Sequence, residues 1–147
     1  MLNVKDSFLI LFLIALDQII KFLITDRIII IFKFPFINYS ENYGAAFSLF
    51  ENERIFLIIA SLVIIGFVIY YYSKYKNLQL GLSLILAGAI SNLIDRIFRG
   101  YIVDFINVGI WPVFNLADVY NFIGVLMIIF VLKKESLKKL LKKIKKE

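Results

Sequence analysis

The sequence predicts an all-α integral membrane protein with four transmembrane helices, on three observations. The chain is 61% hydrophobic with a mean hydropathy of +0.87. That is more apolar surface than a soluble chain of 147 residues can hide. Four stretches, at 7–24, 55–72, 78–98 and 116–132, reach the length of about 20 mainly apolar residues that a crossing needs, with about 17 as the lower limit. Finally, Lys and Arg fall unevenly between the connecting segments, as they do in polytopic membrane proteins. The length has room for a single domain, taken as 1–147.

The first stretch has the position of a signal peptide. It is long, carries Asp17 and Lys21, and lacks a small-x-small cleavage site, so it reads as a retained span. The connector that follows, 25–54, is long for a chain of this size. It holds an apolar run at 28–32, then Pro35, then N-Y-G-A-A-F at 42–47. Long loops are functional or disordered, and this apolar content argues against disorder. A short strand or a surface-lying segment over the outer face of the bilayer is expected.

With the N-terminus inside, the inner segments hold Lys5, Lys74, Lys76 and eight tail lysines. The outer ones hold Arg27, Lys33, Arg54, Arg96 and Arg99. That balance favours both termini in the cytoplasm. The tail, 133–147, sets Leu137, Leu140, Leu141 and Ile144 on one helical face with lysines on the other. Two readings of it stay open: a helix lying on the anionic cytoplasmic leaflet, or a solvated tail that fixes topology. Most of the net charge of +6 sits in this tail, so it signals no nucleic-acid partner.

Cys and His are both absent. Disulfides, thiol nucleophiles, Ser-His-Asp triads and the usual zinc sites are thereby excluded. Acid–base chemistry would fall to Asp, Glu, Lys or Tyr with shifted pKa values.

Charged and amide groups inside spans are costly, and here they gather at one depth. Asp17 and Lys21 share a face of the first span, at i and i+4. Gly88, Asn92, Asp95 and Arg96 share a face near the end of the third by the 3.6-residue period. Asn115 and Asp118 stand at the entrance of the fourth, and Asp104 lies in the short link before it. The other halves of the spans are almost purely Leu, Ile, Val and Phe, which describes a one-sided site rather than a path across the membrane.

Each group also has a structural reading. Asp17 with Lys21 can be a charge pair that knits helices, and Asp95 with Arg96 a pair at the membrane interface. Gly88 with Ala87 and Ser91 suits close helix packing, and Asn92 and Asn115 can bond between helices. Asp118 can serve the dipole of its helix. Asp104 and Asp118 nonetheless have no evident partner. If they face each other, repulsion raises one pKa and the two share a proton, as in aspartic proteases.

D-Q-I-I-K at 17–21, N-Y-G-A-A-F at 42–47, G-A-I-S-N-L-I-D-R at 88–96, V-D-F at 103–105 and F-N-L-A-D at 114–118 occur in this order. Together they resemble the blocks of the bacterial lipoprotein signal peptidases, also called signal peptidase II. The resemblance runs from the first span to the fourth. It implies four helices with an extracytoplasmic β-like cradle from the first outer loop, and a catalytic dyad at Asp104 and Asp118. It also assigns site-supporting or substrate-binding positions to Asp17, Lys21, Asn42, Gly44, Asn92, Asp95, Arg96, Asn115 and Ala117. Asn92, Asp95 and Arg96 would brace the site, and Asn42 and Gly44 would border the substrate groove, where a glycine lets backbone approach closely.

Ala87 and Ser91 stand where family members often have glycine, and Val119 where a small or hydroxyl residue is common. The implied substrate is a prolipoprotein whose cysteine already carries diacylglycerol, cleaved before that cysteine in the bacterial cytoplasmic membrane, with no cofactor. Separately, the chain is expected to be a monomer. Rival readings are a proton-coupled transporter, a non-enzymatic assembly factor and a presenilin-type protease. The first lacks polar residues through the inner leaflet, and the last lacks its G-x-G-D pattern.

Overall fold

The structure, a computed structural model, describes residues 2–26, 36–44 and 49–144. Arg27, the apolar run at 28–32, Lys33, Pro35, the A-A-F end of the 42–47 block, Lys145 and Lys146 lie outside the described residues, as does the side chain of Leu140.

Helix α1 (Val4–Thr25) begins at a reciprocal cap. The Asn3 side-chain oxygen accepts from the Asp6 N–H at 2.7 Å, and its amide donates to Asp6 Oδ2 at 2.8 Å. An acidic residue in the first turn also complements the helix dipole. Tyr72, at the far end of α2 (Arg54–Lys74), donates to the same Asp6 carboxylate. A single 3₁₀ turn (Lys76–Leu78) leads into α3 (Gln79–Phe98). That helix stops where the N–H groups of Arg99 and Gly100 both bond Asp95 O, with Gly100 at φ +89°, a left-handed conformation that costs glycine little. Helix α4 (Leu116–Ile144) takes in both the fourth span and most of the basic tail as one element of 29 residues. The apolar stretch expected to end near 132 and the tail beyond it thus share one helix. At 1.5 Å per residue α4 is about 43 Å long against a hydrocarbon thickness of about 30 Å, so its basic turns continue beyond the span.

Helix α3 is the centre of the bundle and packs against α1, α2 and α4. Its apolar window is 56% buried, against 28% for α1 and 17% each for α2 and α4. Small residues allow the α3–α4 approach. A Cβ added to Gly81 would sit 2.9 Å from Gly124 O, and one on Gly124 would sit 2.6 Å from Gly81 O. Gly88 is pressed in the same way against Ala117 and Asn121, which is the packing role expected of it. Around α3 lies a core including Ile10, Val68, Tyr72, Leu82, Leu86 and Tyr120. Large apolar side chains such as Phe8, Phe67 and Phe130 face outward on all sides, as helices dissolved in lipid require.

At the end of the bundle where α3 stops and α4 starts, the fold departs from purely helical. Strand β1 (Ile37–Asn42) pairs antiparallel with β2 (Ile102–Ile106), setting Ser40 opposite Asp104 and Asn42 opposite Ile102. The strand expected in the 25–54 loop is β1. Its partner, however, comes from the α3–α4 link, so the cradle is not built from the first loop alone. Phe114 closes the other edge of β2: its carbonyl accepts from the N–H groups of Phe105 and Ile106 at 2.9 and 2.7 Å.

Candidate active site

Asp104 sits in the middle of β2 and is 2% exposed. The β1–β2 register puts Asn42 beside it, and Asn42 Nδ2 donates to Asp104 Oδ2 at 3.0 Å. The other oxygen, Oδ1, accepts from Asn115 Nδ2 at 2.6 Å. Asp118 lies in the first turn of α4, where it forms a capping box with Asn115. The Asp118 N–H donates to Asn115 Oδ1 at 3.0 Å, and the Asn115 N–H donates to Asp118 Oδ2 at 3.2 Å. Asn92 of α3 donates to the remaining oxygen of Asp118 at 2.9 Å. Every carboxylate oxygen of the pair thus accepts an amide hydrogen, and Asn115 supplies one to each residue.

Both carboxylates line one cavity of about 320 Å³, together with Asn42, Gly44, Asn92 and Arg96. Burial pushes the Asp104 carboxyl up to about 6; the Asp118 charge adds to this, while the Asn42 and Asn115 amides and Lys21 pull back. Arg96 does not pair with Asp95. Its Nη2 donates to Gly44 O at 3.1 Å, across the cavity mouth. Gly44 N–H in turn donates to Asn42 Oδ1 at 3.0 Å. The 42–44 segment therefore links Arg96 to Asp104.

Asp17, Lys21 and Asp95 do not line the cavity. They form a fully buried cluster behind it, each at 0% exposure. Lys21 Nζ lies 2.7 Å from both Asp17 and Asp95 and donates to Asn92 Oδ1 at 2.9 Å. Lys21 thereby fixes which end of the Asn92 amide faces Asp118. Asp17 Oδ1 accepts from the Ala117 N–H at 3.1 Å, so a carboxylate of α1 caps the start of α4. The charge-pair reading of Asp17 and Lys21 thus describes their contacts, and Asp95 finds its partners in Lys21 and Arg99.

Several residues of the site had no role assigned to them from the sequence. Ser91 donates to Asp17 Oδ2 at 2.6 Å, and Gln18 donates to Ser91 and Asp95 while accepting from Arg99 at 3.0 Å. Ser91 is therefore more than a small residue tolerated at a crossing. Trp111 and Phe114 add an apolar wall to the cavity. For Trp111 the hint was the W-P pair at 111–112 in a short link, while Gln18, Ser91 and Phe114 stand inside the blocks at 17–21, 88–96 and 114–118.

Four apolar helices with a carboxylate-lined cavity at one end define a polytopic membrane protein with paired groups suited to acid–base work. The Signal peptidase (SPase) II family model matches residues 9–133, and the chain belongs to that family. It is 39% identical over 132 residues to a lipoprotein signal peptidase of Halothermothrix orenii, covering 84% of this chain and 91% of the relative. Over 146 residues it is 39% identical to one from Clostridium novyi, covering 89% and 99%. Two solved structures, each described as a bacterial membrane enzyme obtained by the in meso method, are both 29% identical to it. They superpose with TM-scores of 0.82 and 0.71, covering 92% and 87% of this chain and 91% and 92% of their own.

Proposed function

We propose that this chain is an aspartic endopeptidase that removes signal peptides from diacylglyceryl-modified prolipoproteins, with Asp104 and Asp118 as the catalytic pair. The observation that carries the reading is the shared cavity: two carboxylates from different elements line it and are held by one residue, Asn115. In the reaction, the ionised member of the pair takes a proton from water, and the water oxygen bonds to the carbonyl carbon before the lipidated cysteine. The protonated member donates to the carbonyl oxygen, giving a tetrahedral diol. The protonated carboxyl then donates to the cysteine nitrogen while the other carboxylate takes a proton from a diol hydroxyl, and the C–N bond breaks as the carbonyl re-forms. The signal peptide leaves with a new carboxylate, and the lipidated cysteine keeps a new amine. The pair holds one proton throughout, and that proton belongs to the pair rather than to either residue.

Asn42, Gly44 and Arg96 border the groove in this reading. Asp17, Lys21, Asn92, Asp95, Asn115 and Ala117 fix the two carboxylates from behind. The chain, as a single domain and a monomer, crosses the cytoplasmic membrane with both termini inside. The cavity then opens on the extracytoplasmic side and the lysines of α4 meet the anionic inner leaflet. The substrate's acyl chains remain in the bilayer while its peptide enters the cavity.

The test is cleavage of a diacylglyceryl-modified prolipoprotein and of its unlipidated form by the purified protein. The reading expects cleavage of the first only, at the bond before the cysteine. Equal cleavage of both, or cleavage elsewhere, contradicts it.

A further inference from the structure

The segment 39–44 has two faces. On one, Asn42 reaches Asp104 while Gly44 accepts from Arg96. On the other, residues 39, 41 and 43 form a clasp that the site does not use directly. Glu41 Oε1 accepts from Tyr39 Oη at 2.7 Å, and Glu41 Oε2 accepts from Tyr43 Oη at 2.6 Å. Tyr101, just before β2, completes it. Its hydroxyl lies 3.3 Å from Tyr39 Oη, and its ring packs on Tyr43 with centroids 5.4 Å apart.

We propose that Glu41 is a positioning residue: by clasping Tyr39 and Tyr43 against Tyr101 it keeps the opposite face of the strand, with Asn42 and Gly44, seated on Asp104 and Arg96. The inference rests on the dyad reading above. A carboxylate is the side chain the clasp needs, because it accepts two hydroxyls at once and donates nothing. The hydrogen bonds from Tyr43 and then Tyr39 hold the Glu41 carboxyl below the usual carboxylate range, so the clasp stays ionised at working pH. Tyr39 is anchored independently by packing against the Ile24–Val103–Phe105 cluster. The clasp therefore ties a strand edge to a fixed part of the fold.

The reporter is the pH profile of kcat/KM, because the Asn42 amide is one of the groups that lowers the Asp104 pKa. Among the described residues, the other polar groups facing Asp104 are Asn115, Asp118, Lys21 and, lining the same cavity, Arg96, and none of them hydrogen-bonds to the Glu41, Tyr39, Tyr43 or Tyr101 side chains. Loosening Asn42 raises the Asp104 pKa and moves the alkaline limb upward. Using the full chain in lipid, Asn42→Ala should move that limb up by about one pH unit, the size expected for a hydrogen bond to a charged group. Glu41→Ala should move it in the same direction by about half as much, and Glu41→Gln, which keeps one acceptor oxygen, should leave the limb close to the wild-type position. The double variant Asn42→Ala/Glu41→Ala should move no further than Asn42→Ala alone. If Glu41→Ala lowers activity evenly across pH while Asn42→Ala moves the limb, the positioning role is overturned and the dyad stands. Shifts that add in the double variant overturn it as well. A wild-type profile without an alkaline limb removes the dyad, and the positioning role with it.

Discussion

At the scale of single residues, the site holds two carboxylates on one cavity by amide hydrogen bonds. Asn115 does most of this, capping α4 through one end of its side chain and its own N–H while its amide hydrogens reach Asp104. The environment of Asp104 has a direct consequence for pH. Its carboxyl is pushed up to about 6, so it is protonated below that value and ionised above it. A reaction that needs one proton on the pair should lose kcat/KM as pH rises through and beyond about 6, with steady-state kinetics across pH as the measurement. A raised carboxyl favours the folded state below its unfolded value of about 3.9, and that contribution is lost as pH rises through about 6. Asp104, Asp118, Asn92 and Asn115 were legible in the sequence because polar residues at one depth in an apolar chain have few reasons to be there. Gln18, Ser91 and Arg99 were not. Gln18 and Ser91 are ordinary polar neighbours of named residues, and the bonds that join Gln18 to Ser91, Asp95 and Arg99 become visible only when α1 is laid against α3.

Among the elements, the α3–α4 contact decides where Asp118 stands. Gly88 meets Ala117 and Asn121 in the first turns of α4, and Ala117 is the neighbour of Asp118. Gly88→Leu should push that turn away from Asn92 and lower kcat by about a hundredfold, the loss expected from a misplacement of about 1 Å at a reacting group. Gly66→Leu, where an added Cβ meets nothing within 4 Å, should leave kcat near wild type. Kinetics on the two variants, with thermal unfolding measured in parallel, separates displacement of the site from general loss of fold. The helices themselves were readable from apolar length. The sheet was only half readable, because β2 is a five-residue strand whose partner lies some sixty residues earlier, and no local pattern records a pairing of that range. The helix of the fourth span also runs on past the apolar stretch, to Ile144. Lysine-rich sequence ends a hydrophobic run but not a helix, and Lys, Leu and Glu are good helix formers.

For the molecule as a whole, one end of the bundle carries the polar cavity and the other carries Lys74, Lys76 and the basic end of α4. The absence of cysteine makes its orientation simple to measure. Glu51→Cys, in the exposed turn before α2, and Lys139→Cys, in the exposed basic turns of α4, give two single labels on an otherwise inert chain. In intact cells or spheroplasts an impermeant maleimide should modify the first and reach the second only after lysis. The reverse pattern would invert the membrane orientation argued from the lysines.

The central claim is that Asp104 and Asp118 together perform the cleavage. Its most direct test compares wild type, Asp104→Asn and Asp118→Asn, each purified and shown to be folded, on a diacylglyceryl-modified prolipoprotein. Asn keeps the shape of each side chain but cannot hold the shared proton. The account predicts that wild type cleaves and that each single variant loses at least about a thousandfold in kcat, as removal of a group essential to the chemistry does. Cleavage by either variant at near the wild-type rate would contradict it.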